Sequence, residues 1–280
     1  MRIVQITDTH LSHLGGVTTR NFEAVVSFVN DVIKPDLVIN TGDVVMLSPD
    51  FDSDREAARV LHAGFTAPLR VLAGNHDVGE VGENAWMGIQ VTDERVAAFT
   101  EAFGPSRFSE LHDGFAIVGI NSEVLSSGLD AESEQWSWLE TLIPELAGRS
   151  VMLCSHKPLW SPFGEVPGHA IAINNADRLR LLSLFADAPV EIAASGHLHR
   201  YIKGETDSIT TISAPSTAFL ASSEALVGPG LQQLGIVEYE VEKDSMRAVY
   251  RSIRELEECN VWDIPEVSTT KTAIETASVA

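Results

Sequence analysis

The sequence predicts an α/β fold in which two packed sheets are flanked by helices, and three observations predict it. Short apolar runs alternate with amphipathic stretches as far as His199, the pattern of parallel βαβ units. Beyond His199 the pattern changes to short strands with no long helix between them, which implies antiparallel pairing. The chain of 280 residues is also long enough for one large core.

Taken in order, Ile3 to Thr7 reads as the first strand. Asn21 to Lys34 places Phe22, Val25, Val26, Val29 and Val32-Ile33 on a helical stripe that ends before Pro35. Leu37 to Thr41 is the second strand, and Ser53 to Ala63 a helix capped by Asp52 or Ser53. Leu69 to Ala73 is the third strand, followed by a helix over 92–103 and a strand from Phe115 to Ile120. The stretch 131–147 is helical, opened by Asp130 and interrupted by Pro144. Val151 to Ser155 and Val190 to Ser195 are strands separated by a helix from Asp177 to Ala188. Strands near 208–213, 233–241 and 246–251 complete the second part. The Ser-, Thr- and Ala-rich stretch from Pro265 to Ala280 reads as a mobile tail or an arm that packs on a neighbour. Residues 1–254 are accordingly expected as the catalytic domain and 255–280 as a C-terminal extension, mobile or in an oligomer contact; a homodimer or higher oligomer stays open.

Composition narrows the functional classes. Hydrophobic residues at 44% and charged residues at 21% argue against disorder, and no apolar run approaches the ~20 residues a bilayer requires. A cleaved secretory leader is not expected, because the first strand begins at Arg2 and carries Asp8 at its end. Only Cys154 and Cys259 are present, which excludes a disulfide framework and points to a cytoplasmic location, with Cys154 read as a buried small hydrophobe. Lys and Arg number 19 against 40 Asp and Glu, a formal charge of −21 with no basic cluster, which counts against long nucleic acids. No basic amphipathic stretch suggests a membrane surface either.

The chemistry sits at the strand ends. Five of the apolar runs stop at Asp8-Thr9-His10, Gly42-Asp43, Gly74-Asn75-His76-Asp77, His156, and Gly196-His197-Leu198-His199. Ligands bind outside the carboxyl ends of strands in open α/β sheets, so five such ends can converge on one cleft. Asp8, His10, Asp43, Asn75, His156, His197 and His199 offer carboxylate, amide oxygen and imidazole, a mixed set that suits Mn, Fe, Zn or Co better than Ca. Strand alternation would aim Asp8 and His10 to one side, and likewise His197 and His199 if that segment stays extended. Seven ligands exceed one ion's needs but fit two ions when one carboxylate bridges. His62 and His112 read as structural or solvated; His13 and His169 lie nearer the motifs and are candidates to touch substrate. Trp86 either stacks on a base or packs the core, with the core the expectation.

This series of residues resembles the calcineurin-like metallophosphoesterases over roughly Ile3 to His199. The resemblance implies a four-layer α-β-β-α double β-sandwich (the metallophosphoesterase fold), and two divalent or mixed-valence transition-metal ions drawn from Fe, Mn, Zn or Co. It implies one metal on Asp8, His10, Asp43 and His199, and a second on Asp43, Asn75, His156 and His197, with Asp43 bridging. It further implies a hydroxide activated by both metals for in-line attack at phosphorus, with His76 as general acid; Asp77 reads either as the orienter of His76, since carboxylates fix imidazole tautomers, or as a turn residue or helix cap. Within the family, Ile6-Thr7-Asp8-Thr9-His10-Leu11 and Ala214-Pro215-Ser216-Thr217 look most like the bacterial class III cyclic nucleotide phosphodiesterases. One departure is Lys157 after His156, where that branch often has a further His; the lysine is expected to face solvent, with a phosphate contact as the alternative.

The expectation is therefore a metal-dependent hydrolase of small phosphodiesters, a 3′,5′-cyclic nucleotide foremost. Glycerophosphodiesterase, phosphomonoesterase and nuclease activity at the same site are the alternatives, and a non-catalytic binding module is disfavoured because no ligand is missing. Substrate choice is expected in loops 78–90, 160–175 and 214–230.

Overall fold

The computed structural model describes residues 1–82, 85–164, 170–221, 228–242 and 245–277. In chain order the elements are β1 (Arg2–Ile6), α1 (Val17–Phe28), β2 (Leu37–Asn40), α2 (Asp52–His62), β3 (Leu69–Val71), α3 (Asn75–Val78) and α4 (Asp93–Phe103). They continue with β4 (Phe108–Leu111), β5 (Phe115–Gly119), α5 (Asp130–Leu142), β6 (Ser150–Cys154), α6 (Asn175–Leu184), β7 (Val190–Ser195), β8 (Ile202–Thr206), β9 (Ile209–Ser213), β10 (Ile236–Glu242), β11 (Ser245–Arg251) and α7 (Pro265–Ala277).

Two sheets result. One has the order β11-β10-β1-β2-β3, and the other β4-β5-β6-β7-β9-β8. β1, β2 and β3 run parallel, as do β5, β6, β7 and β9, while β10–β11 and β8–β9 pair antiparallel as the late pattern predicts. Parallel pairing puts the carboxyl ends of β1, β2 and β3 at one edge of the first sheet, and those of β6 and β7 at one edge of the second.

Strand alternation builds the layers. Ile3 and Ile39 turn inward to meet Met152, Cys154 and Ile192 of the other sheet, forming the core between the sheets. Val4, Ile6 and Val38 face outward against Phe22 and Val25 of α1, Ala58 of α2 and Phe99 of α4. Val118, Val151 and Leu153 likewise face Trp136 and Leu139 of α5 and Leu181 of α6. The expected α-β-β-α order is what these three cores describe. Cys154 is fully buried, and burial alone raises its thiol pKa, so it serves as a core residue as expected. A polar link ties the sheets at the site end: Gln5 Nε2 on β1 donates to Thr41 Oγ1 at 2.9 Å and to the Ser195 carbonyl of β7 at 3.0 Å, while its Oε1 accepts from Tyr239 OH at 2.6 Å.

Several boundaries moved for local reasons. α1 begins four residues before Asn21 and runs on through a π-turn, Val29–Ile33, ending at Lys34 in a left-handed conformation. α2 starts at Asp52 with Phe51 in the cap position and no side-chain cap, so neither Asp52 nor Ser53 caps it. Pro144 divides the expected 131–147 helix into α5 and a 3₁₀ turn, Ile143–Leu146, because proline has no N–H for an α-helical bond. Pro265–Ala277, within the stretch expected as a mobile tail or an arm onto a neighbour, forms the helix α7. Its Val267 and Ile274 are buried in a small core with Met46, Leu47, Phe219 and Ile264, because these apolar positions recur on one face.

Candidate metal centre

The loops that follow β1 and β2 carry the first ligands and are zipped together beyond the sheet. Asp8 N donates to the Gly42 carbonyl at 2.9 Å and His10 N to the Asp43 carbonyl at 3.0 Å. Asp8, His10, Asp43, His197 and His199 all take positive φ, between 42° and 70°. Strand alternation is therefore not what converges Asp8 with His10 or His197 with His199, since neither segment stays extended. Left-handed turns aim the side chains, and non-glycine residues at positive φ cost energy that the surrounding bonds must offset. Gly74 and Gly196 show how tight the approach is. A Cβ at Gly74 would lie 2.3 Å from Asp43 Oδ1, and one at Gly196 would lie 1.9 Å from Thr7 Oγ1.

Three groups of ligand atoms form; one of them joins His76 to His10 and Asp43, and the other two consist of predicted ligands alone. Asp8, His10 and His199 offer atoms all within 4.8 Å of one another, and so do Asp43, His156 and His197. In the first group, His10 Nε2 lies 3.1 Å from His199 Nε2, which is 3.3 Å from Asp8 Oδ1. In the second, His156 Nε2 lies 3.3 Å from Asp43 Oδ2, 3.2 Å from Asn75 Oδ1 and 3.2 Å from His197 Nδ1. All seven sequence-predicted ligands are thus brought to one place, mostly buried. Asp43 Oδ2 also reaches to 3.9 Å from His10 Nε2, which places Asp43 between the groups.

The tautomers follow from the partners. A backbone carbonyl only accepts, so Nδ1 of His10, facing the Met46 carbonyl at 3.0 Å, must carry the proton; so must Nδ1 of His199 against Phe219 and of His156 against Thr41. Each Nε2 then presents a lone pair to the centre unless the ring takes a second proton. His10 and His199 would point lone pairs at each other across 3.1 Å, beside Asp8 Oδ1, which is buried without a hydrogen-bond donor among the described residues. A cation resolves that arrangement, and this donor set fits a divalent ion. Without one, protons substitute unevenly. Burial works against charge throughout, but Asp43 and Asp8 lift His156 to about 10, while burial and the neighbouring His76 push His10 down to about 3. Burial also raises the Asp8 carboxyl, yet His199 and His156 outweigh it and hold it at about 2.

His76 sits at the edge of the centre. Its Nε2 is 3.8 Å from Asp43 Oδ2, its side chain is 12% exposed against 0–3% for His156, His10 and Asp43, and its Nδ1 has no hydrogen-bond partner among the described residues. The Asp77 carboxylate does not reach that atom. It accepts from Val44 N, Val45 N and Gly74 N at 2.8–3.1 Å, so Asp77 fastens the loops after β2 and β3 and does not orient His76. Burial and then Asp43 raise its pKa to about 7, with those amide donors opposing.

Lys157 faces neither solvent nor the centre. It is buried, with Nζ 2.8 Å from Glu80 Oε2 and 2.8 Å from Glu123 Oε2. Burial opposes its charge, but Glu123 and Glu80 outweigh this and raise its pKa. Sequence reasoning missed both glutamates, because neither lies in a motif; an acidic residue three beyond the apolar run that ends at Ile120 was the available signal for Glu123. It also missed Phe219, whose ring stacks on His10 at 4.6 Å while its carbonyl holds His199. Of the remaining histidines, His13 pairs with Asp54, His62 is buried, and His112 stacks on Phe115, whereas His169 lies outside the described residues.

A family model for calcineurin-like phosphoesterase matches residues 1–201, which span every one of these ligand positions. The chain belongs to the calcineurin-like phosphoesterase family. It is a phosphoester hydrolase of a family that works with divalent metals. The chain is 26% identical over 236 residues to the 3′,5′-cyclic adenosine monophosphate phosphodiesterase CpdA of Escherichia coli, covering 78% of this chain and 76% of that one. It is 26% identical to the serine/threonine-protein phosphatase CPPED1 of Bos taurus, over 82% and 72% of the two chains. The same identity relates it to the probable glycerophosphodiester phosphodiesterase GpdQ of Arcobacter nitrofigilis, over 77% and 78%. The fold matches a dimetal phosphatase from Danio rerio with a TM-score of 0.60 at 11% identity, over 90% and 96%.

Proposed function

We propose that this calcineurin-like phosphoesterase hydrolyses small phosphodiesters, a 3′,5′-cyclic nucleotide foremost, at a centre holding two metal ions. In this reading one ion is held by Asp8, His10, Asp43 and His199, and the other by Asp43, Asn75, His156 and His197. The observation that carries it is the pair of donor groups with Asp43 between them. The likeness to CpdA supports a cyclic nucleotide, and the likeness to GpdQ at equal identity supports a glycerophosphodiester as the second reading.

When bound, two divalent ions would supply charge against the phosphoryl oxygens and lower the pKa of a water at the site. The Met46, Phe219 and Thr41 carbonyls fix the imidazoles so that the donor atoms need not reorganise. As oxygen from water bonds to phosphorus and the ester P–O bond breaks, His76 gives its proton to the departing oxygen. Its position at the edge of the centre, more exposed than His10, His156 and Asp43, suits that role. The acidic balance of the chain disfavours long nucleic acids as substrate.

The test is a hydrolysis panel on protein stripped of metal and reloaded with Mn, Fe, Zn or Co. It sets 3′,5′-cyclic and 2′,3′-cyclic nucleotides, glycerophosphodiesters and phosphomonoesters side by side. Preference for a 3′,5′-cyclic nucleotide is the expected result; preference for a monoester overturns the diesterase reading.

A further inference from the structure

Trp86 stands at the rim of the metal centre and is not packed in the core. Its ring lies 5.8 Å from that of His76 at 41°, and the residue is 36% exposed. Among the described residues the other four tryptophans each carry a cation over the ring: Arg180 over Trp136, Arg107 over Trp138, Arg178 over Trp160 and Lys271 over Trp262. Among the described residues no cation lies over the face of Trp86.

The loop that presents it is fastened at two levels. Glu80 N donates to the Ile89 carbonyl at 3.1 Å and Val91 N to the Glu80 carbonyl at 3.2 Å, closing the loop at its neck. The Glu80 side chain then reaches both ways. Its Oε1 accepts from Trp86 N at 2.5 Å, and its Oε2 meets Lys157 Nζ at 2.8 Å. Lys157 follows His156 directly and is held from the other side by Glu123. A buried ion triad thus connects the exposed ring to the strand end that carries a ligand of the centre. Burying three charged groups is costly, and a flexible loop would have no need of it.

We propose that the exposed face of Trp86 is the surface on which a ring-bearing alcohol of the ester stacks, a heteroaromatic base foremost, and that the Lys157–Glu80–Glu123 triad positions it. The inference rests on the diesterase reading and names the part of the substrate that the metals do not see. Aromatic faces stack on any base, and the gain is about fivefold in affinity at the low end of its range and more above it.

The experiment measures kcat/KM for 3′,5′-cyclic AMP and for glycerophosphoethanolamine with manganese-loaded protein. In Trp86→Leu the ratio of the two should fall about tenfold, chiefly through KM for the nucleotide, and in Trp86→Phe it should stay within about threefold of wild type. Lys157→Met should shift the ratio in the same direction as Trp86→Leu, again through KM more than kcat. An unchanged ratio in Trp86→Leu overturns the inference while the diesterase reading stands. Absence of hydrolysis of either diester by the wild-type protein overturns both.

Discussion

Lys157 shows how a single residue beside the centre can serve the fold. Its ammonium lies between two carboxylates, so truncating it leaves Glu80 and Glu123 buried without their shared partner. Removing one partner of a buried ion pair costs about 3–5 kcal/mol, whereas removing the charges together is far milder. Lys157→Met should therefore lower unfolding stability by that amount, and adding Glu80→Gln and Glu123→Gln should restore a large part of it. Denaturant titration checks this, and a triple variant no more stable than Lys157→Met would refute it. His62 gives the pH counterpart. Its Nδ1 faces the Ala58 carbonyl and its Nε2 faces Asn40 Nδ2, and Asn40 Oδ1 in turn accepts from Gly42 N beside Asp43. Burial lowers its pKa from 6.5 to about 4, with the Ala58 bond opposing. The unfolded chain thus takes up a proton below pH 6.5 that the native protein refuses, and stability falls as pH drops from 6.5 toward 4. The loss is ~1.4 kcal/mol per unit, or about 2 kcal/mol between pH 6.5 and 5. Unfolding free energies at those two values should differ by about that much more in wild type than in His62→Gln; equal slopes would remove His62 from the account.

At the level of elements, α7 reaches the metal centre without touching it. Val267 and Ile274 pack on Met46 and Phe219, and the carbonyls of those two residues hold the Nδ1 atoms of His10 and His199. Leu220 N also donates to the Cys259 carbonyl at 2.9 Å, so the segment leading into α7 borders the Phe219 loop. Ending the chain after Asp263 should expose this small core and loosen both histidines together. Loss of such outer support typically costs 10–100-fold in metal affinity. Competition titration with a chromophoric chelator should show about that weakening for one of two bound ions; two unchanged affinities would deny α7 any role at the centre. The sequence hid this because Ser, Thr and Ala dominate α7, leaving its few apolar positions inconspicuous. β4 and β8 were hidden for a related reason. Each is an edge strand, and β8 reads Ile-Lys-Gly-Glu-Thr with its middle exposed, so no buried face marks it. The central strands were legible because both faces are covered and their residues are nearly all apolar.

At the scale of the whole molecule, the ligand types and their order could be read from the chain, since parallel strands must end together and glycines must precede the close approaches. How the side chains converge could not be read, because left-handed turns at Asp8, His10, Asp43, His197 and His199 depend on bonds between loops far apart in sequence. Net charge is different, being the same number in sequence and structure. At −21 the protein repels an anionic ester over the Debye length, ~30 Å at 0.01 M salt and ~8 Å at 0.15 M. Two bound divalent ions would attract it only at close range, inside the cleft. Salt should therefore screen repulsion more than attraction, and kcat/KM should rise as NaCl increases from 0.01 to 0.15 M. The rise should be steeper for a doubly charged phosphomonoester than for a singly charged diester, because the encounter energy scales with substrate charge. Initial rates at low substrate, with metal held saturating, measure both slopes. A kcat/KM that falls with salt would mean that the local field of the cleft, and not the net charge, governs approach.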